Sequence, residues 1–189
     1  MKDTKKLVMY GLLTAIIILM AFTPLGYLKT LGLEITFITI PVIVGAVVLG
    51  PGAGAFLGGV FGLTSFAQAF SGQFGQALLA VSVVNTFIVC VIPRILMGWC
   101  CGLIFKAFKN KNNVAAYFTA SISGALLNTL FFMSALMIFF GNSEYIKGLQ
   151  GSNNIIVFVG VFVGVQGLIE AAVAAVAGTA ISRAVTKLK

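Results

Sequence analysis

Long apolar stretches, separated by short polar or glycine- and proline-containing segments, run along nearly the whole chain of 189 residues. At about 20 residues for each spanning helix, they predict six transmembrane helices and leave no room for a separate soluble domain. The predicted spans are Leu7–Phe22, Ile35–Leu49, Ala53–Phe70, Ala77–Phe105, Val114–Phe140 and Ile155–Ile181. The expected fold is therefore all-α, an integral membrane six-helix bundle that forms one domain over residues 1–189.

The segments between the predicted spans differ in length. The second span is short for a full crossing and ends at the Gly50–Gly52 break, and Pro93 interrupts the fourth span. The outer loops are longer, at Thr23–Glu34, Ser71–Gln76 and Gly141–Asn154. Loops that gate a site are typically longer than the topology requires, so these loops include a candidate gate. The alternative is an exposed loop without a function in gating.

The distribution of basic residues predicts the orientation of the bundle. Transmembrane proteins carry an excess of lysine and arginine on the cytoplasmic side. With the N-terminus inside, only Lys29 and Lys147 lie outside. The basic residues that then lie inside are Lys2, Lys5, Lys6, Lys106, Lys109, Lys111, Arg183, Lys187 and Lys189. With an odd number of spans, the most basic clusters would lie on opposite sides of the membrane. An even number is therefore expected, and both termini are predicted to be cytoplasmic (N-in/C-in).

Composition supports the membrane assignment. Hydrophobic residues make up 60% of the chain and charged residues 8%, against about 45–50% and about 25% in soluble domains. One soluble core cannot bury this excess, which indicates a multi-pass protein of the cell membrane in contact with the lipid bilayer. In a soluble protein, the formal net charge of +8 would suggest a nucleic-acid partner. Here short basic clusters between apolar stretches are better explained by topology, and no nucleic-acid partner is expected.

The inventory of reactive side chains excludes several chemistries. The chain has no histidine, and its four acidic residues are Asp3, Glu34, Glu144 and Glu170. Only Glu170 lies deep in an apolar stretch, which argues against a pair of catalytic carboxylates. The three cysteines lack metal-ligand spacing, and no P-loop sequence is present. We therefore expect no catalytic residue, no metal and no cofactor, and the chain is predicted not to be an enzyme.

Small residues at a spacing of four occur in three predicted spans. In the third span they are Gly54, Gly58 and Gly62, and in the sixth they are Gly160 and Gly164. Such residues allow two helices to approach closely in lipid, so internal packing is their expected role. Gly11 and Ala15 form the same pattern in the first span. That pair is instead a candidate for docking against another membrane subunit.

Polar residues inside a membrane are costly and are therefore functional candidates. Counted from the cytoplasmic ends at about 1.5 Å per residue, Arg94, Asn128 and Glu170 share one layer, about 18–21 Å above the inner charges. Further polar residues of the predicted outer half are Gln166, Asn85, Gln68 and Thr64. Together they predict a polar pocket that opens outward and is walled by the third to sixth spans.

Arg94 is the main candidate for ligand binding. A guanidinium group matches a carboxylate or phosphate with two parallel hydrogen bonds. Pro93 frees a backbone carbonyl beside it, and a kink there would help to aim the guanidinium inward. The alternative is an Arg94–Glu170 ion pair that only locks two helices, although Glu170 could also orient Arg94 for a ligand. For Asn85, Asn128 and Gln166 the alternative is hydrogen bonding between helices.

Three segments carry a resemblance to a known family: Thr39–Gly54, Gly58–Ser65 and Val91–Gly98. With six short helices, basic inner loops and no ATPase signature, the chain resembles the substrate-binding S components of energy-coupling factor (ECF) vitamin transporters. The stretches Pro93–Leu96 and Gly58–Leu63 look most like the pantothenate-type members. Pantothenate is a small polar amide with one carboxylate, which suits Arg94.

The resemblance implies a vitamin as the bound molecule, and a transmembrane coupling subunit and two cytoplasmic ATPase subunits as partners. In that family the first helix docks through small residues, usually Ala-x-x-x-Ala, and here Gly11 and Ala15 occupy that pattern. The expected function is a subunit that binds its nutrient from outside without chemistry of its own. Riboflavin or a pyrimidine precursor remains open as the substrate, and an autonomous carrier is the competing function.

Overall fold

A computed structural model of the protein describes residues 3–24, 26–30, 33–109, 113–150 and 167–187. The elements in chain order are α1 (Asp3–Ala21), β1 (Tyr27–Thr30), β2 (Leu33–Thr36), α2 (Thr39–Leu49), α3 (Pro51–Ala69), α4 (Gln73–Val81), α5 (Val83–Phe108), α6 (Asn113–Phe140), α7 (Glu144–Gln150) and α8 (Gly167–Lys187). A π-helical segment, Ala174–Gly178, lies inside α8. Helices predominate in this part of the chain, as predicted.

Four of the described helices are long and apolar enough to cross a membrane, namely α1, α5, α6 and α8. A fifth crossing is possible if α3 and α4, which are bent by 90° at their junction, are taken together. α2 has 11 residues, about 16 Å of helix, which is half of the hydrocarbon thickness of about 30 Å. The multi-pass helical architecture is therefore confirmed for the described residues.

The first predicted outer loop and the start of the second predicted span differ from expectation. β1 and β2 form an antiparallel hairpin in which Tyr27 pairs with Thr36 and Thr30 with Leu33. α2 accordingly begins at Thr39 and not at Ile35. The strands are separated by two residues in sequence, the spacing of a tight hairpin. β2 alternates apolar and polar residues, which is the pattern of a strand. Four residues are too few for this pattern to stand out beside the apolar stretch that follows.

The break predicted at Pro93 lies instead at Ser82. Ser82 has an extended backbone and forms the N-cap of α5, where its Oγ accepts a hydrogen bond from the Asn85 N–H at 3.3 Å. Serine is a favoured N-cap because it satisfies one of the free N–H groups of the first turn. α5 continues through Pro93, and residues 77–81 belong to α4. The predicted fourth span is therefore two helices.

The remaining predicted boundaries shift less. α3 begins at Pro51, inside the predicted break. The predicted outer loop Gly141–Asn154 contains α7, whose Ile146 is buried with Leu78 of α4 and Leu136 of α6. α8 extends to Lys187, and the predicted residues 155–166 of the sixth span lie outside the described residues.

α3 and α5 cross so closely that there is no room for a Cβ atom at several of their glycines. A Cβ at Gly54 would overlap the Gly98 carbonyl oxygen, and a Cβ at Gly58 would overlap the Arg94 carbonyl oxygen. A Cβ at Gly62 would lie 2.7 Å from Val91 Cα. The small-residue spacing of this span therefore serves internal packing, as predicted. Gly160 and Gly164 lie outside the described residues.

We predict that Gly58→Ala lowers stability while Gly59→Ala does not. The Gly58 Cβ would meet backbone that cannot move easily, and such overpacking costs about 1–3 kcal/mol. The Cβ at Gly59 would meet Ile95 Cγ1 at an ordinary 3.6 Å. Thermal unfolding of the detergent-purified variants measures the difference. Equal midpoints for the two variants would contradict the close approach of α3 and α5.

Candidate functional site

Arg94 is buried between three helices, with 8% of its surface exposed. Its guanidinium Cζ lies 4.4 Å from the ring centre of Phe132 on α6 and 5.5 Å from that of Phe61 on α3. Both distances are within the range of cation–π attraction. Its Nη1 donates a hydrogen bond to the Val89 carbonyl oxygen at 2.8 Å. The α3–α5 crossing and α6 therefore enclose the guanidinium in a largely apolar, aromatic environment.

The local backbone explains this placement. Helical side chains point back toward the N-terminus of their own helix, so Arg94 reaches toward the preceding turn of α5, where Val89 lies. Gly58 and Gly62 flank Phe61 on α3, and their missing side chains bring that helix against α5 beside Arg94. Phe61 is 2% exposed and forms one wall of the site as a result.

Glu170 of α8 is also buried, with 4% exposure. Its Oε1 accepts a hydrogen bond from the backbone N–H of Thr36 at 2.7 Å. A carboxylate that accepts from a backbone N–H forms a charge-assisted hydrogen bond, which is stronger than a neutral one. Glu170 therefore ties the end of β2, and with it the hairpin, to α8.

Asn128 and Thr64 are the other buried polar candidates. Asn128 is 7% exposed and lies one helical turn before Phe132 on α6. Its Oδ1 is buried and has no hydrogen-bond partner among the described residues. Thr64 lies close to Phe61 on α3 and donates to the Phe61 carbonyl oxygen at 2.8 Å. Asn128 therefore carries a buried acceptor, whereas the Thr64 hydroxyl hydrogen bonds within its own helix.

The remaining predicted site residues have other surroundings. Gln68 Nε2 donates to the Ala21 carbonyl oxygen, which satisfies one of the free carbonyls at the end of α1 and joins α3 to α1. Asn85 is half-buried in the first turn of α5. Gln166 lies outside the described residues. Gln68 therefore has a structural contact, and Asn85 lies near the Ser82 cap.

Three groups at the site were not predicted: the Phe61 ring, the Phe132 ring and the Thr36 N–H. Phe132 follows Asn128 by four residues and so lies on the same helix face, a signal that was present in the sequence. Phe61 lies between two of the predicted packing glycines. The Thr36 N–H could not be found by listing polar side chains, because it is a backbone group at the end of an unpredicted strand.

The first helix presents Gly11 and Ala15 at its surface. Both residues are exposed, whereas Leu13 and Ile17 on the opposite side of the helix are buried. A Cβ at Gly11 would have nothing within 4 Å. The predicted docking pair therefore lies on a surface that the described part of the chain leaves uncovered.

A guanidinium group can pair with an anion and an amide oxygen can accept a hydrogen bond from a donor, so Arg94 and Asn128 are the candidates for contact with a ligand. Within the described ranges, no group of three histidine, cysteine or acidic residues is placed to hold a metal ion. The arrangement is typical of recognition in a buried pocket, where a few polar groups fix the orientation of a small molecule.

Comparison with known proteins identifies the family. The model for the substrate-specific component of ECF transporters matches residues 5–181. This chain belongs to that family. It is also 31% identical over 164 residues to the pantothenic acid transporter PanT of Lactococcus lactis subsp. cremoris, a match that covers 82% of this chain and 79% of the relative. The pantothenate transporter PanT of Leuconostoc mesenteroides subsp. mesenteroides is 38% identical over 117 residues, covering 58% of this chain and 55% of the relative.

The family membership confirms the resemblance carried by Thr39–Gly54, Gly58–Ser65 and Val91–Gly98. This substrate-specific component is a multi-pass protein of the cell membrane and the substrate-binding subunit of an ECF transporter. Its described apolar helices agree with that location.

We predict that Glu170→Ala loosens the hairpin, because the Thr36 N–H loses its acceptor. A fully buried unsatisfied donor costs about 1–3 kcal/mol. The contact of the Thr36 N–H is part-buried, so we expect a cost at the lower end of that range, and a smaller one for Glu170→Gln, which keeps an acceptor oxygen. Hydrogen exchange of peptides covering Leu33–Thr36 measures the change. Glu144→Ala, in the exposed first turn of α7, is the control. Equal hydrogen exchange of these peptides in Glu170→Ala and Glu144→Ala would contradict the role of Glu170 in holding the hairpin.

Proposed function

We propose that this substrate-specific component binds pantothenate from outside the cell and delivers it to an ECF transport complex. The observation that carries the proposal is the buried Arg94 guanidinium, which lies against the rings of Phe61 and Phe132. Phe132 is one helical turn from the buried Asn128 on α6. The names of two PanT relatives support the choice of vitamin. Pantothenate has one carboxylate, one amide and hydroxyl groups, and so offers partners for both side chains.

Arg94 recognises the carboxylate in this proposal. The guanidinium is planar and can donate two parallel hydrogen bonds to the two carboxylate oxygens. Charge attraction is much stronger in a buried site than in water. It offsets the cost of removing the carboxylate from water only with good geometry and full hydrogen bonding, which a two-point contact with the guanidinium supplies. A neutral ligand of the same shape would gain no such attraction. The site therefore distinguishes an acid from its amide.

Asn128 recognises the polar remainder of the ligand. Its Oδ1 is an acceptor for a ligand hydroxyl or amide N–H, and filling it would remove a buried unsatisfied group. Gln166, Asn85, Gln68 and Thr64 stay candidates for lesser contacts. Glu170 is assigned mainly to holding the hairpin end through Thr36, since a carboxylate repels a ligand carboxylate.

The proposed topology has six spans with both termini in the cytoplasm. Ring contacts join Tyr10 of α1 to Phe56 of α3 at 5.5 Å and Phe105 of α5 to Tyr117 of α6 at 5.0 Å. A Cβ at Gly102 would overlap Pro51. These contacts gather the start of α1, the start of α3 and the end of α5 at one end of the bundle, which concentrates Lys5, Lys6, Lys106 and Lys109 there. The positive-inside rule makes that end cytoplasmic.

The proposed partners are a transmembrane coupling subunit and two cytoplasmic ATPase subunits. Gly11 and Ala15 support a docking role for α1, because their small side chains leave a shallow exposed strip on which another helix can pack closely. The proposed subunit does no chemistry itself, and ATP hydrolysis belongs to the partners.

The decisive test compares pantothenate with its carboxamide on the native protein and on Arg94 variants. We expect Arg94→Ala to weaken pantothenate binding by about 2–5 kcal/mol, because the buried carboxylate loses its charged partner. Arg94→Lys should weaken it less, since a point charge replaces a planar fork. The carboxamide should bind poorly to the native protein and lose little further in Arg94→Ala. Isothermal titration of the purified proteins measures all of these affinities.

Two outcomes would contradict the proposal. An undiminished preference for the acid in Arg94→Ala would remove Arg94 from the ligand site. The other outcome is that Glu170→Gln weakens pantothenate binding as Arg94→Ala does, and that both variants do so only by losing stability. Arg94 and Glu170 would then be a structural pair. Mass spectrometry of the small molecule released when the purified protein is denatured is an independent check, and release of riboflavin or a pyrimidine precursor would overturn the assignment to pantothenate.

We predict that Gly11→Leu with Ala15→Leu abolishes uptake in cells but leaves pantothenate binding by the isolated subunit intact. Large side chains prevent close helix contact, and both positions lie away from Arg94. Ala180→Leu, at an exposed position of α8, is the matched control for adding apolar bulk. Uptake and co-purification with the ATPase subunits are the measurements. Normal uptake in the double variant would exclude docking through this strip.

A further inference from the structure

We propose that Pro93 is a positioning residue for Arg94: it withholds the backbone N–H that would otherwise bind the Val89 carbonyl, and so reserves that carbonyl for the Arg94 guanidinium. Pro93 is buried inside the continuous helix α5, directly before Arg94. The inference rests on the proposed function, since it concerns how Arg94 is presented to the ligand carboxylate.

The first step is a feature of the helical backbone. In an α-helix the N–H of residue i donates to the carbonyl of residue i−4, so residue 93 would normally donate to Val89. Proline has no N–H, and its ring pushes the i−4 carbonyl aside. In this structure the carbonyl oxygen of Val89 accepts instead from Arg94 Nη1 at 2.8 Å. Val89 is fully buried, so water does not compete for this oxygen.

The second step concerns the orientation of the guanidinium. The hydrogen bond to Val89 fixes one nitrogen, and the Phe132 ring 4.4 Å from Cζ restricts the position of the group as a whole. Phe61 approaches on a second side at 5.5 Å. A guanidinium restricted in this way loses less freedom when it binds a carboxylate, and preorganisation of this kind increases affinity.

Pro93 therefore has a predicted effect on specificity as well as on affinity. Pro93→Ala restores an N–H that donates to Val89 within the helix and competes with Arg94. The guanidinium then loses its fixed acceptor, and a group that must be reordered binds a carboxylate less well. A ligand without a carboxylate does not use Arg94 in this way. The acid should therefore be affected and the carboxamide should not.

The experiment titrates pantothenate and its carboxamide against the native full-length protein, Pro93→Ala and Arg94→Ala. We expect Pro93→Ala to weaken pantothenate binding about tenfold, the scale of one charge-assisted hydrogen bond, while carboxamide binding stays within about twofold of native. Pro51→Ala is the control, because Pro51 is the first residue of α3, where a helix N–H has no partner in its own helix.

A second pair of variants tests whether the Phe132 ring helps to orient the Arg94 guanidinium. Phe132→Leu keeps an apolar side chain at this position but removes the aromatic ring beside Arg94. Like Pro93→Ala, it should reduce the preference for pantothenate over its carboxamide. Phe139→Leu, at a position 39% exposed on the same helix, is its control and should leave the preference unchanged.

The outcomes separate this inference from the proposed function. If Arg94→Ala retains the full preference for the acid, the proposed function fails and the positioning role fails with it. If Arg94→Ala abolishes the preference while Pro93→Ala keeps it, only the positioning role is overturned. Equal weakening of acid and carboxamide by Pro93→Ala would also overturn it, because that result indicates a general structural defect.

Discussion

The close approach of α3 and α5 is the constraint on which the site depends. Gly54 faces Gly98, and Gly58 faces the Arg94 carbonyl, so the two backbones meet without intervening side chains. In lipid there is no hydrophobic force between helices, and association relies on such close packing. The same contact places Phe61 beside the Arg94 guanidinium. The helix packing and the surroundings of Arg94 therefore depend on the same helix pair, and a change that separates α3 from α5 will also alter the surroundings of Arg94.

Among the charged residues whose burial the structure describes, Arg94 and Glu170 are buried, and each has a backbone partner. Arg94 donates to the Val89 carbonyl and Glu170 accepts from the Thr36 N–H. Backbone dipoles of this kind are fixed in place by the helix and the hairpin, so they help to hold each charged group in position. Burial of a charge is expensive unless it is hydrogen-bonded. These contacts explain how the bundle retains both residues within its apolar interior.

Much of the architecture could be predicted from the apolar pattern, because a membrane span needs a long uninterrupted apolar stretch. α1 and α6 lie close to their predicted bounds for that reason. The start of α2 was not predicted, because the short alternating segment Leu33–Thr36 runs directly into an apolar stretch. The break at Ser82 was not predicted, because a single serine stands there between apolar residues. Arg94, Asn128 and Glu170 were recognisable as buried polar groups. Gln68 looked similar in sequence, yet its amide binds the end of α1.

The sequence by itself determined the membrane class, the small-residue helix contact and, through its motifs, the family. It also singled out Arg94, Asn128 and Glu170, which are buried in the structure. Only the tertiary structure decided which partner each polar group has. The carbonyl freed by Pro93 could have bound water, another helix or a ligand, and the Arg94 side chain binds it. The Thr36 N–H became the partner of Glu170 across 134 residues of chain. Such pairings depend on distances between helices, which follow from packing and leave no local pattern along the chain.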